Sequence, residues 1–335
     1  MAKTMRQYLS LILLGLIAIA LAVLPLLNPP QTWILYLFYF FIFLAAANMW
    51  NLLAGFSGLL ALCPAAFIGL AGYTMTILSW LAIPFYVGII AGGVIAALFA
   101  MLISLSVFRM KGIYFAIGTL VVPAILRLVF LRWRPVGGEL QGGGAGYMVK
   151  GASGVPSEIT YWLGLVIALI SIILIAVILR SKFGFGLAAV RDNDVSAASS
   201  GINVFRLKLY SFIIAAFVMG MTGAIFYAYQ GYIEPNSAFD INWLMIVLLA
   251  TVIGGIGLEW GPFVGTIIVV ILEFQLARYA GISLLIQGFI LLVIMLVAPQ
   301  GILGFIRGQR QSGGVWARLR ISSQRGDSLP KAGEE

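Results

Sequence analysis

Stretches of about 20 apolar residues recur down the whole chain, at 9–27, 33–53, 58–80, 85–108, 112–131, 159–179, 209–230, 241–257, 262–279 and 282–298. A helix rises 1.5 Å per residue, so about 20 such residues cross a hydrocarbon layer about 30 Å thick. Hydrophobic residues make up 62% of the 335 and charged residues 9%, against about 45–50% and about 25% in soluble domains. The 20 basic and 11 acidic side chains are too few to cover a water-soluble fold of this size. The expected fold class is an all-α polytopic membrane protein of about ten transmembrane helices. A disordered chain, a nucleic-acid module and a disulfide scaffold are excluded. Cys63 is the single cysteine, and the absence of histidine removes His metal ligands, His general bases and Ser-His-Asp triads.

Threading ten spans with the N-terminus inside sorts the charges. The inner face receives Lys3, Arg6, Arg109, Lys111, Arg180, Lys182, Arg191, Arg206, Lys208 and the basic tail from Arg307 to Lys331. Arg132, Arg134, Lys150 and Arg278 fall outside, and Arg127 falls within a span. This bias is the positive-inside pattern, and it accounts for the net charge of +9 without a polyanion partner. Both termini are then cytoplasmic. Residues 1–22 imitate a signal peptide, but the apolar run continues to Leu27, so an uncleaved first span is expected.

The chain divides at hydrophilic stretches. Residues 1–131 form a first half of five helices, 132–158 a Gly-rich outer loop, and 159–305 a second half of five helices with a cytoplasmic loop at 180–208. Residues 306–335 form a basic tail expected to be disordered. Five is odd, so if the halves are repeats the second is inverted, a recurrent transporter plan. The stretches 58–80 and 241–257 carry glycine and lie near Pro64 and Pro262. Broken or re-entrant helices read the same way as full spans at such places.

Chemistry has few candidates. No G-x-x-x-x-G-K-[ST] or H-E-x-x-H motif occurs, so neither an ATP site nor catalysis nor a metal site is expected in this chain. Arg127 and Glu273 fall within spans. An intramembrane charge marks a functional site by default, or else the two lie near outer helix ends and reach the interface. One buried carboxylate is too little for a proton relay, whereas Na⁺ coupling through carbonyls stays open.

The inner loop is the most informative stretch. Asp192, Asn193 and Asp194 are N-cap candidates for a helix near Val195, and Gly201 fits its left-handed C-terminal position. About two turns lie between, with Ala197 and Ala198 keeping one face small. Such a knob is either a solvated connector or a lever gripped by a partner.

At this loop the chain resembles the permease subunits of ABC-type branched-chain amino acid importers, in the subfamily of the longer permease. Arg191, Asp192, Asn193, Asp194, Ala197, Gly201, Ile202 and Asn203 fit the family's ATPase-coupling pattern. Asn51-Leu-Leu-Ala-Gly-Phe-Ser-Gly58, the Ala65 to Tyr73 segment, the Gly112 to Leu120 segment, the Gly254 to Gly265 segment and the Pro299 to Gly304 segment resemble further family motifs in the right order. The sequence departs from the family at Leu59, Ala61, Cys63 and Pro64, where polar Gln and Ser and then Gly-His are usual, and around Gln141–Gly146.

The resemblance implies a five-part importer in a bacterial or archaeal plasma membrane. Its parts are two permeases, two ATP-binding cassette subunits that use ATP and Mg, and an external binding protein, with no cofactor bound by this chain. The pathway would run between the permeases and carry branched-chain or similar amino acids. Asn48, Asn51, Ser57, Tyr73 and Thr119 are the polar lining candidates. Gly55, Gly58, Gly254, Gly255 and Gly257 either line the path or pack helices closely. The alternatives are a urea or short-amide importer of the same build, or a stand-alone secondary transporter or channel.

Overall fold

The computed structural model describes Gly15 and residues 19–27, 29–110, 112–137, 142–151, 156–276, 279, 282–297 and 301–304. Its helices in chain order are α1 (Gln31–Asn51), α2 (Pro64–Trp80), α3 (Phe85–Val107), α4 (Ile113–Arg132), α5 (Ser157–Arg180), α6 (Lys182–Asp192), α7 (Asp194–Ser199), α8 (Val204–Gln230), α9 (Pro235–Ala238), α10 (Ile241–Gly254), α11 (Gly261–Leu276) and α12 (Ser283–Val297). Helix dominates because apolar surroundings offer the backbone no outside partner, and a helix satisfies its own N–H and C=O groups. Leu102, Leu128 and Leu296 stay exposed on the outer surface, as side chains facing lipid do.

Among the described residues, seven helical stretches are long and apolar enough to cross a membrane: Gln31–Phe56, Phe85–Val107, Ile113–Arg132, Ser157–Arg180, Val204–Gln230, Pro235–Gly254 and Ser283–Gly304. The expectation of about ten counts three more. The stretch at 9–27 lies largely outside the described residues and ends in a 3₁₀ turn at Leu24–Leu27. The stretches at 58–80 and 262–279 appear as α2 and α11, of 17 and 16 residues, shorter than a full span. The tail, 306–335, lies outside the described residues.

The shortening of α2 has a local cause. Beyond α1 the chain forms a π-helical turn, Leu52–Phe56, and then runs without helix through residues 57–63. Pro64 restarts the helix at a position where a missing N–H does no harm. The freed backbone is satisfied from inside. The Trp50 Nε1–H donates to the Ala61 carbonyl at 2.8 Å, the Leu62 N–H donates to Thr119 Oγ1 at 2.9 Å, and the Leu59 N–H donates to the Leu53 carbonyl at 2.8 Å.

A second break separates α10 from α11. There the helices touch backbone to backbone: a Cβ on Gly254 would lie 1.8 Å from the Gly261 carbonyl oxygen. The core is organised around α8, which packs on α2 and α3, while the Asn48 amide donates to Ser171 Oγ at 3.0 Å and ties α1 to α5. At the opposite end from the two breaks, β1 (Tyr147–Met148) pairs antiparallel with β2 (Tyr232–Ile233), joining the loop after α4 to the loop after α8.

Candidate functional site

Three side-chain caps in succession shape the loop that the sequence marks as a lever. Ser181 Oγ accepts from the Gly184 N–H and starts α6. Asn193, in extended backbone at φ −162°, ends α6 and starts α7. Its Oδ1 accepts from the N–H groups of Val195 (2.9 Å) and Ser196 (3.0 Å). Asn203 Oδ1 accepts from the Arg206 N–H at 3.0 Å and starts α8. Each cap supplies an acceptor that the first helical turn otherwise lacks. Of the three N-cap candidates, Asn193 takes the role. Asp192 ends α6, and Asp194 is the first residue of α7 and pairs with the Lys208 ammonium. Gly201 follows α7 at φ +82°, with the Ile202 N–H reaching back to the Ala197 carbonyl at 3.1 Å.

The sequence reading contains one helix here, and the structure has two. The Phe183-Gly-Phe-Gly run reads as loop, yet α6 forms because Gly184, Leu187 and Val190 bury one stripe while Ser181 caps it. The signal was present in that spacing. Ala197 is buried beneath α7, whereas Phe185 and Val195 are 73% and 75% exposed. The segment therefore presents apolar side chains away from the helix bundle, two residues that the sequence reading did not single out.

Arg191 points the other way. Its Nη1–H donates to the Gly55 carbonyl at 2.8 Å, 136 residues away in sequence, in the π-helical turn at the end of α1. Its contact with Asp192, at 3.9 Å between exposed groups, adds little. Beside it, Asn51 bridges the same turn to the α10–α11 connection. Asn51 Oδ1 accepts from the Gly257 N–H at 2.8 Å, and Asn51 Nδ2 donates to the Leu258 carbonyl at 3.0 Å. One cluster thus joins the lever segment, the end of α1 and the Gly-rich turn. Gly55 permits it: a Cβ there would lie 2.2 Å from Asn51 Oδ1 and 2.5 Å from the Gly257 nitrogen.

The remaining pathway candidates are dispersed. Gly254 and Gly255 sit at the end of α10 next to the Asn51 contacts. Asn48 bonds Ser171, and Ser57 Oγ donates to the Leu53 carbonyl at 2.7 Å. Thr119 Oγ1 donates to the Ala116 carbonyl at 2.9 Å while accepting from Leu62. Tyr73 lies nearer the β1–β2 end, against Phe130 (ring centroids 4.4 Å apart) and Phe239 (5.9 Å). Asn48, Asn51, Ser57 and Thr119 are all buried, with their polar groups engaged inside the chain.

Two cavities open in the same bundle. One, of about 280 Å³, has Arg127 and Asp240 on its wall. The other, of about 600 Å³, lies between α1, α8 and α10 and carries Tyr39, Phe226 and Trp243 with Glu234, Asp240 and Glu273. Glu273, half-buried, lies within hydrogen-bonding reach of two side chains. It accepts from the Asn242 amide at 3.4 Å and from the Gln287 amide at 2.8 Å.

The family described as "Branched-chain amino acid transport system / permease component" matches residues 33–299. The chain belongs to this family. The matched region of this permease-family chain contains the whole Asn51–Gly257–Arg191 cluster. Relatives include the high-affinity branched-chain amino acid transport system permease protein LivM of Escherichia coli K12. It is 27% identical over 285 residues, covering 77% of this chain and 67% of the relative. LivM of Salmonella typhimurium matches to the same extent. A probable branched-chain amino acid transport permease protein LivH of Methanocaldococcus jannaschii is 28% identical over 148 residues, covering 42% of this chain and 46% of the relative. No solved structure is a significant match.

Proposed function

We propose that this chain is one permease subunit of an ATP-driven importer, forming half of the path by which branched-chain or similar aliphatic amino acids cross the plasma membrane. The solute arrives from an external binding protein. A second permease supplies the other half of the path, and two ATPase subunits that use ATP and Mg grip the segment 181–203. The ten-span threading, in two inverted halves of five with both termini in the cytoplasm, belongs to this reading. It puts the breaks after α1 and after α10 on one face, where Asn51 and Arg191 join them.

Family membership supports the activity, and the bonding of Arg191 to Gly55 supports the mechanism. A zwitterion entering a bilayer would shed water from both charges at a cost of many kcal/mol. A path between packed helices lowers that barrier, provided that it holds the solute only weakly. Direction requires two conformations that the ATPases bind differently, since a partner shifts an equilibrium only by its differential affinity. The exposed Phe185 and Val195 give the ATPases a surface to hold. Arg191 and Asn51 tie that surface to the ends of two helix pairs.

The test is reconstitution. With the sister permease, ATPases and binding protein present, proteoliposomes should accumulate labelled leucine when ATP and Mg are supplied. Selective flux through this chain alone, with no ATPase present, would instead identify a stand-alone transporter.

A further inference from the structure

We propose that the smaller cavity is a holding site for a zwitterion with an aliphatic tail, its carboxylate facing Arg127 and its ammonium facing Asp240. The assignment rests on the importer reading and names where in this chain the solute pauses. On α4 the lining residues Leu120, Pro123, Ala124 and Arg127 follow helical spacing and form one stripe. The stripe is about 10 Å long, apolar at Leu120 and cationic at Arg127. Across from it, Asp240 precedes α10, with Oδ1 accepting the Asn242 N–H at 2.7 Å. Leu62 and Ala65, from the non-helical stretch and the start of α2, close the apolar end.

Arg127 and Asp240 share this wall, yet neither belongs to an ion pair among the described residues. Both residues are exposed in this chain taken alone, so each charge is open to a solute that enters the cavity. A cation would satisfy Asp240 and be repelled by Arg127, and an anion the reverse. A neutral amide offers an opposite charge to neither. A zwitterion answers both at once, and its hydrocarbon tail fits the Leu62–Leu120 end. The volume, about 280 Å³, lies just under the about 300–1,000 Å³ range of ligand pockets, which suits a solute of a few carbons. The larger cavity lacks this opposition: its described lining residues carry three carboxylates and no basic group.

The experiment uses the assembled complex with its binding protein. Arg127→Gln and Asp240→Asn should each lower the maximal ATP-driven rate of leucine uptake about tenfold or more, with the KM set by the binding protein unchanged. Ala124→Phe, which fills the cavity without altering charge, should do the same. Wild-type rates for the two charge variants in fully assembled complexes would overturn the assignment. A second measurement keeps both charges. Ala124→Cys, in a complex whose Cys63 is buried, is labelled with a thiol reagent. Leucine should slow the labelling, whereas leucine amide and isocaproate should not. Equal labelling in all three solutes would overturn the site even if the charge variants fail to assemble. If the wild-type complex takes up no leucine at all, the importer reading fails by itself.

Discussion

Asn51 holds the Gly257 N–H at 2.8 Å although 206 residues separate the two in sequence, and the same amide donates to the Leu258 carbonyl at 3.0 Å. A single carboxamide offers one acceptor and two donors. Here both kinds are spent on one connection between helices, where the backbone has left its own ladder. The end of α1 and the α10–α11 turn are therefore one mechanical unit, and Arg191 attaches the lever segment to it.

Replacing Asn51 with leucine leaves the half-buried Gly257 N–H and Leu258 C=O without their side-chain partner. Each such loss costs about 1–3 kcal/mol, so Asn51→Leu should destabilise the purified permease by about 2–4 kcal/mol. Thermal unfolding in detergent checks this. Asn51→Asp keeps the acceptor toward Gly257 but buries a charge and sets an oxygen against the Leu258 carbonyl, so its melting temperature should also fall below wild type.

Gly55→Ala tests how closely that unit is built. The added Cβ would meet Asn51 Oδ1 at 2.2 Å and the Gly257 nitrogen at 2.5 Å, so the turn must move away. Membrane insertion should survive, because the apolar spans are unaltered. Leucine uptake per inserted complex should drop at least about tenfold if coupling tolerates misplacement as poorly as catalysis does, where about 1 Å can cost about 100-fold.

Val195 is 75% exposed on the lever and does not stabilise the bundle. Val195→Asp should therefore leave the unfolding free energy within about 0.5 kcal/mol of wild type, yet the ATPase subunits should no longer co-purify. Phe185→Ser should act in the same direction. Full ATPase recovery with both variants would place the docking surface elsewhere.

Much of this architecture is legible in the sequence because it is set by short-range rules. The apolar runs mark the helices, and the Asp192–Asp194 cluster with Gly201 brackets α7, since caps and left-handed glycines act within a few residues. The helix α6 is missed because Phe183-Gly-Phe-Gly has poor helix propensity. Burial of Leu187 and Val190 overrides it. The shortness of α2 is hidden for a related reason: residues 57–63 are apolar enough to read as membrane helix, and what lets them unwind is supplied by Trp50 and by Thr119, on another helix. The pairings of Arg191 with Gly55 and of Asn51 with Gly257, and the meeting of Arg127 with Asp240 at one cavity, depend on how distant helices pack. No local pattern encodes them.

The central claim is that Arg191 passes ATPase motion from the lever into the helix ends. Its most direct test is the stoichiometry of transport in proteoliposomes bearing Arg191→Ala, measured as leucine accumulated per ATP hydrolysed. The account predicts that the ATPases remain bound and hydrolyse ATP while accumulation per ATP falls by at least about tenfold, the share of coupling that about 1.4 kcal/mol controls. Leucine accumulation that stays proportional to hydrolysis, at the wild-type ratio, would contradict it.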